Sequence, residues 1–407
     1  MNPLVDRISV TARLGVAALA LVCLGACAKK DAGIPSGPEF QKKAQEALIM
    51  AKPGAVIELP EGKQDLTATL SLSVDNVTIH GKGMDKTILS FKNQTTGSSG
   101  MLVTGNNFTL EDVAIEDTKG DGIKINGSTG VTIRRVRAEW TDGPKTSNGS
   151  YGLYPVQCKN VLIEDSIVKG AADAGIYVGQ SKNIIVRRSR AEYNVAGIEI
   201  ENSQDADVYQ NVATNNTGGI LLFNLPDLPV KDGRNARVFE NQVYNNNTKN
   251  FGAKGSIVSH VPTGTGMEIL ATNHIDVYKN KIKDNASGNV SVISYMTTHN
   301  PINDPTYDPY TDEIYIHDNE ISGGGDKPDA RVATDIAPKV GTPLPGILYD
   351  GVVDPKKGSA RICAQNNGGA VFVNFDAGNG FKHILRNAKA NDCALPPLNA
   401  VAGIGGN

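Results

Sequence analysis

Short runs of alternating apolar and polar residues recur through the middle of the chain. Gly175-Ile176-Tyr177-Val178-Gly179 is answered by Gly197-Ile198-Glu199-Ile200-Glu201, and Gly219-Ile220-Leu221-Leu222-Phe223 opens a third copy. The leading glycines stand 22 residues apart. A period of that size, filled with strands too short to bury a face alone, is the signature of a solenoid. Each repeat carries two further runs, exemplified by Ile184-Ile185-Val186 and by Asn211-Val212 in the coil that follows. Alternation puts Ile and Val inside and charged residues outside. The expected fold is all-β: a right-handed single-stranded parallel β-helix of ~22-residue coils.

The pattern also sets the ends. Phe40, Ala44, Leu48 and Ala51 recur at helical spacing, and Pro53-Gly54 stops the run, so residues 37–54 are expected to form a capping helix. Ser36 and Glu39 have the spacing of a capping box. The β-helix is expected over 55–322, and the period fades after Gly323-Gly324-Gly325. Residues 323–407 then read as irregular final coils and a C-terminal cap. At the start, Arg7 and Arg13 precede an apolar run from Leu14 to Leu24, the form of a signal peptide over residues 1–26, with 27–36 as a tether.

Two columns of small polar residues emerge when the repeats are aligned. Asn211, Asn241, Asn280 and Asn319 share one turn position and are expected to form an amide ladder. Ser128, Cys158, Ser181, Ser203 and Thr272 share another, which makes Cys158 a buried small residue and not a reactive thiol. Cys23 and Cys27 belong to the leader. Cys363 and Cys393 remain as a disulfide pair for an exported chain, with pairings to Cys158 as the alternatives.

Insertions into the period locate the candidate site. The Gly122 to Gly152 and Asn211 to Asn241 intervals are each eight residues longer than the period. The Asn241 to Asn280 and Asn280 to Asn319 intervals are each 17 longer. The extra residues fall at about 141–150, 225–233, 249–265 and 295–312, all flanking the first strand of a coil. Insertions in a repeat protein gather on one face, often the binding face. They are expected either to rise as two banks over that face and make a groove, or to fold down and bury it, since insertions of 8 and 17 residues can do both. Its floor would be Lys124, Tyr154, Tyr177, Glu199, Leu221, Glu268 and Ser291 in one column, with Asn126, Val156, Gly179, Glu201, Phe223, Leu270 and Ile293 in the next.

Exposed Tyr154, Tyr177 and Phe223 beside Glu199, Glu201 and Glu268 would suit a sugar ring, which needs both stacking and hydrogen bonds. Glu199 and Glu201 lie two residues apart on one strand, ~6.6 Å, close to the separation of an inverting carboxylate pair. They are the catalytic candidates, and Gly179 would leave a dip between the aromatic residues. The stretch from Asn303 to Asp312 is rich in Asp and Pro. It offers oxygen donors of the kind calcium takes, although the same residues also simply make turns. The six histidines show no metal spacing.

Net charge is only −3, with no basic excess to hold nucleic acid. Leu24-Gly25-Ala26-Cys27 resembles the bacterial lipobox, which implies lipidation at Cys27. Ala28 after it implies the outer membrane by the same resemblance. The run from Tyr151 to Ser166, with the repeats to about Ser322, resembles the bacterial parallel β-helix repeat lipoprotein family. Members of that largely uncharacterised group are often encoded beside a probable c-type cytochrome. The repeats are more distantly similar to pectate lyases, polygalacturonases and alginate epimerases. Their Gly-His-Gly, Asn-Thr-Asp and Asp-Pro-His-Asp signatures do not occur, so no catalytic residue carries over. The sequence therefore leads to an exported β-helix lipoprotein that binds a polysaccharide, uronate-rich among the choices, over the first-strand sheet. The alternative is a non-catalytic scaffold for an exported c-type cytochrome or other redox partner.

Overall fold

The computed structural model describes residues 33–404. The signal segment, Cys23 and Cys27 lie outside the described residues.

The chain winds as a right-handed parallel β-helix. A representative coil has strands at Ala174–Gly179, Lys182–Arg187 and Arg190–Glu192. First strands stack into a 12-stranded sheet, and second and third strands form a 19-stranded sheet around the rest of the coil. The inward residues register coil on coil: Ile176 pairs with Ile198, Ile198 with Ile220, Ile220 with Met267 and Met267 with Val290. These residues are buried and run through one core along the axis. Parallel strands buried on their inner face must be β-branched or long aliphatic, which is the composition the alternation displays.

The capping helix spans Phe40–Met50 and buries Phe40, Ala44 and Leu48. It closes the open end of the first coil with side chains. The Gln45 amide both donates to the Ser71 carbonyl (3.0 Å) and accepts from the Ser71 N–H (2.9 Å). Gln41 accepts from the Thr67 N–H at 2.7 Å. These two glutamines satisfy strand-edge groups that a preceding coil would otherwise pair. The expected capping box is absent. Glu39 is the helix N-cap without a side-chain cap bond, and Ser36 instead donates to the Glu61 carbonyl.

The asparagine ladder is present and longer than expected. Asn241 Oδ1 accepts from the Asn211 N–H and side-chain amide, each at 3.0 Å. The pattern repeats through Asn280 and Asn319 to Asn367. A second ladder, unforeseen, runs through Asn194, Asn216, Asn246 and Asn285 at the other corner of the coil. Cys158 is buried in the serine column, where its backbone N–H donates to Ser181 Oγ at 3.0 Å. Burial pushes its thiol up to about 11.

The stack continues past 322. Ile347–Tyr349 pairs with the strand Gly288–Ile293, and Ile362–Gln365 with Asp312–His317. Two short helices, Ala330–Asp335 and Ala337–Val340, precede both Ile347–Tyr349 and Ile362–Gln365 in the chain. Leu385–Arg386 crosses Phe372–Asn374 antiparallel and ends that sheet. Cys363 and Cys393 form the disulfide, with their Cα atoms 5.0 Å apart. Beyond it the chain turns back along the outside. Gln365 donates to Asp392 at 2.7 Å, and the Val401 N–H reaches Asp207 Oδ2 at 3.1 Å.

Candidate functional site

Strand register places both outward columns as the alternation requires. Tyr177 pairs with Glu199, Glu199 with Leu221, Leu221 with Glu268 and Glu268 with Ser291. Gly179 pairs with Glu201, Glu201 with Phe223, Phe223 with Leu270 and Leu270 with Ile293.

The groove over those columns is not open. Phe223 and Glu199 are each 1% exposed, Tyr177 is 4% and Glu201 and Glu268 are each 7%. Tyr154 alone of the expected floor residues with a proposed role is half-buried. The two longer inserted segments, 249–265 and 295–312, do not stand as banks. They fold down and bring Val258, Val261, Tyr295 and Tyr307 into a second core with Tyr177, Leu221, Phe223 and Leu270. The cause is the apolar content of the columns themselves, because covering such side chains gains ~25 cal/mol per Å² of apolar surface. A third outward column, at the first residue of the strand, lets the loops come close. It carries Ala174, Ala196 and Gly218 in register. A Cβ on Gly218 would lie 3.0 Å from the Val261 side chain. Tyr307 pins the longer cover by donating its hydroxyl to the Asn224 carbonyl at 2.5 Å.

The dip expected at Gly179 is filled as well. The Tyr177 ring lies across it, and its hydroxyl donates to Glu201 at 2.6 Å. Tyr177 also meets Tyr151 and Tyr154, with ring centroids 4.5 and 5.1 Å away, and those two are 4.4 Å apart. The three rings form one cluster at the uncovered end of the face. Lys124 Nζ stands 4.9 Å from the Tyr154 centroid.

Carboxyl groups line the way inward from this mouth. Burial raises Asp121 to about 6, against the opposing pull of Lys124. Asp173 rises to about 8 through burial and the charges of Glu201 and Asp121. Glu199 is raised well above the usual range by burial first, then by Glu201 and Asp173. Its bonding neighbour is the Glu201 carboxyl group, a hydrogen bond that needs a proton on one of the two. Glu201 is raised by burial in spite of the Tyr177 hydrogen bond. Glu268 rises to about 7 for the same reason, eased by Arg331. Burial also pushes the Tyr154 hydroxyl up to about 12. At neutral pH the deep acids thus favour the protonated form, in which a carboxyl group can donate as well as accept.

Asp121, Tyr151 and Asp173 were missed because they stand at or before the first strand residue, where simple alternation assigns no face. Their signal was a position one or two residues before the leading glycine of each repeat.

Elsewhere, carboxylates are already used. Asp304 pairs with Lys231 and caps Thr306, Asp308 accepts from the Tyr310 N–H, and Asp312 accepts from the Arg361 N–H. The Asp-Pro stretch is thus built as turns. His80, Glu111 and Asp112 come together within metal-ligand distance on the second-strand face. Arg135 already bonds both of those carboxylates. A shallow cleft of about 600 Å³ between the capping helix and the first coil has Lys42, Glu46 and Asp65 at its rim, all exposed. Among the described residues no helix is long and apolar enough to cross a membrane.

Residues 99–306 match the family described as right handed beta helix region, and the chain belongs to it. Among solved structures it is similar to the A-module of the mannuronan C-5 epimerase AlgE4 of Azotobacter vinelandii, with a TM-score of 0.55 and 18% identity over 82% of this chain and 91% of that one. The AlgE6 A-module from the same organism follows with a TM-score of 0.51 and 17% identity over the same shares. Likeness at that level is likeness of fold. No curated protein matches the sequence.

Proposed function

We propose that this protein binds a saccharide chain at the uncovered end of the first-strand face, where Asp121, Lys124, Tyr151 and Tyr154 form the mouth. The observation that carries the reading is the three-tyrosine cluster set directly against Asp173, Glu199 and Glu201. A sugar ring presents an apolar face to aromatic rings and hydroxyls to groups that donate and accept. Support also comes from the fold, shared with modules named as epimerases of a polysaccharide. Tyr177, Glu201, Phe223 and Glu268 serve this reading as the covered floor of the site, reached when residues 249–265 and 295–312 lift. Glu199 and Glu201 are the groups on this face suited to proton transfer, hydrogen-bonded to each other, with Glu201 also tied to Tyr177. Lipidation at Cys27 would hold the site at the outer membrane.

The test is a glycan-binding screen on the chain from Ala28 onward, with mass spectrometry of the products. Binding that is lost in a Tyr151→Ala, Tyr154→Ala double variant is the expected result. Binding unchanged in that variant would remove the mouth from the account.

A second reading is the scaffold for an exported c-type cytochrome or other redox partner. It is favoured by Ile49, Met50 and Val56, 66%, 77% and 60% exposed at the capped end, and by the closed state of the groove. Capture of a cytochrome that depends on Met50 and Val56, with no glycan bound, would support it.

A further inference from the structure

We propose that the outer face of the second-strand sheet is a docking groove for polyproline II segments, filled in this structure by the chain's own residues 394–404 and open in exchange to a partner segment of the same chemistry. The groove lies on a different face from the saccharide mouth, and the two readings stand or fall separately.

The period of the returning segment gives the first argument. Leu395, Leu398, Val401 and Ile404 are half-buried, and every residue between them, Pro396 and Pro397 included, is exposed. An apolar face at every third residue is neither the period of two of a strand nor the ~3.6 of a helix. It is the period of polyproline II, which makes no hydrogen bonds of its own and leaves its N–H groups to a neighbour. No residue from Ala394 to Ala402 belongs to a helix or strand or has positive φ.

The second argument is a match of rises. The Val401 N–H donates to Asp207 Oδ2 at 3.1 Å, and the Leu398 N–H, three residues earlier, is turned to the Asp276 carboxylate. Asp207 and Asp276 lie two strand pairings apart, with Arg237 between them. Three polyproline II residues rise ~9.3 Å, and two coils stack ~9.6 Å. One turn of such a ligand therefore spans two coils and meets the sheet the same way each time. A further turn brings Ile404 level with Leu162, two pairings beyond Asp207 through Ile185. Leu162 and Ile185 are buried although neither belongs to the core along the axis.

The third argument is the wall of the groove. Two residues further along each strand, Tyr209, Phe239, Tyr278 and His317 stack in a row with centroids 4.7, 4.9 and 5.3 Å apart. Proline-rich segments dock in aromatic-lined grooves. Arg237 fixes the Asp207 acceptor with bonds of 2.7 and 2.6 Å. The prolines of the segment fall at exposed positions, while Leu398 and Val401 keep the N–H that an acceptor needs. The ligand class is thus an extended segment with an apolar non-proline residue at every third position and proline between.

The experiment is fluorescence anisotropy with a labelled synthetic peptide of residues 394–404, added to the full chain and to its Leu398→Asp, Val401→Asp variant. The variant is expected to bind the peptide at least about tenfold more tightly than the parent, where the tethered segment competes at millimolar effective concentration. Leu398→Pro, Val401→Pro removes both donors and keeps the extended form, and serves in the same way should the first variant misfold. A peptide of the same composition rearranged to lose the three-residue interval should not bind. In the parent, the Leu398 and Val401 amides should exchange hydrogen about tenfold slower than that of Ala400. No binding to a folded variant, equal binding by the rearranged peptide, binding to the parent as tight as to the variant, or equal exchange at the three amides overturns the proposal.

Discussion

Tyr177 occupies the space that a side chain at position 179 would need: a Cβ on Gly179 would lie 2.2 Å from the Tyr177 hydroxyl oxygen and 2.4 Å from its ring. The glycine lets the ring lie flat along its own strand and reach Glu201. Gly179→Ala should therefore expel the ring, at a cost of about 1–3 kcal/mol, and break the bond to Glu201. Tyr177→Phe should lose only the hydroxyl's contribution, about 1–3 kcal/mol for the acceptor left behind, with the ring still in place. Urea unfolding separates the two, and near-ultraviolet circular dichroism reports the ring. A parent-like spectrum for Gly179→Ala would contradict this packing.

The buried acids set a pH dependence. Asp173 is raised to about 8 and Glu268 to about 7, from about 4 in an unfolded chain. The native state therefore holds protons that the unfolded state has released. Stability from this pair is highest in acid, declines as pH climbs from about 4, and levels off above about 8. Denaturation across that window should show a shallower decline for the Asp173→Asn, Glu268→Gln double variant than for the parent. Parallel curves would mean that the two groups do not titrate in this way.

The cover over Phe223 hangs on few polar ties. Tyr307→Phe removes the hydroxyl that bonds the Asn224 carbonyl and should destabilise the fold by only about 1 kcal/mol. Its larger effect should be local. Residues 295–312 should exchange amide hydrogens faster and become the first site of proteolytic nicking, while exchange at the asparagine ladder stays as in the parent. If binding at the first-strand face requires lifting of this segment, association should also become faster.

Asn241 is joined on both sides. Its Oδ1 accepts two bonds from Asn211, and its amide donates to Asn280 and to the Val208 carbonyl, each at 2.9 Å. Asn241→Ala strands these partners inside the stack and should cost about 3 kcal/mol or more. Denaturant midpoints will measure it. A loss no greater than that of an exposed substitution such as Lys281→Ala would show the ladder to be incidental.

The coil was legible because its cause is local and repeated. Ile176, Ile198 and Ile220 point inward for the same reason at the same interval, so the period and the alternation report the same core. The columns of Tyr177 and Gly179 could be drawn residue by residue, and the register agrees. What covers them could not be drawn. Val258, Val261, Tyr295 and Tyr307 come from segments without a period, and their fate depends on whether apolar residues at 221, 223 and 270 draw them down. Tyr151 and Asp173 escaped because they sit at the corner of the coil, where the two-residue rule stops. The second asparagine ladder, through Asn216 and Asn246, was written in the sequence at the same spacing as the first, with no strand run beside it to draw notice.

The returning segment that ties Val401 to Asp207 changes how such a stack can come apart. A solenoid with contacts only between neighbours frays from its ends, one coil at a time. Here Val401 is fastened four strand pairings back, across the partners Asp207, Arg237, Asp276, Tyr315 and Cys363. Peeling away the final coil means first undoing a clasp on a coil deep in the array. The C-terminal half is thereby bound into one cooperative block, and a chain cut before Asp392 would melt gradually from that end instead of all at once.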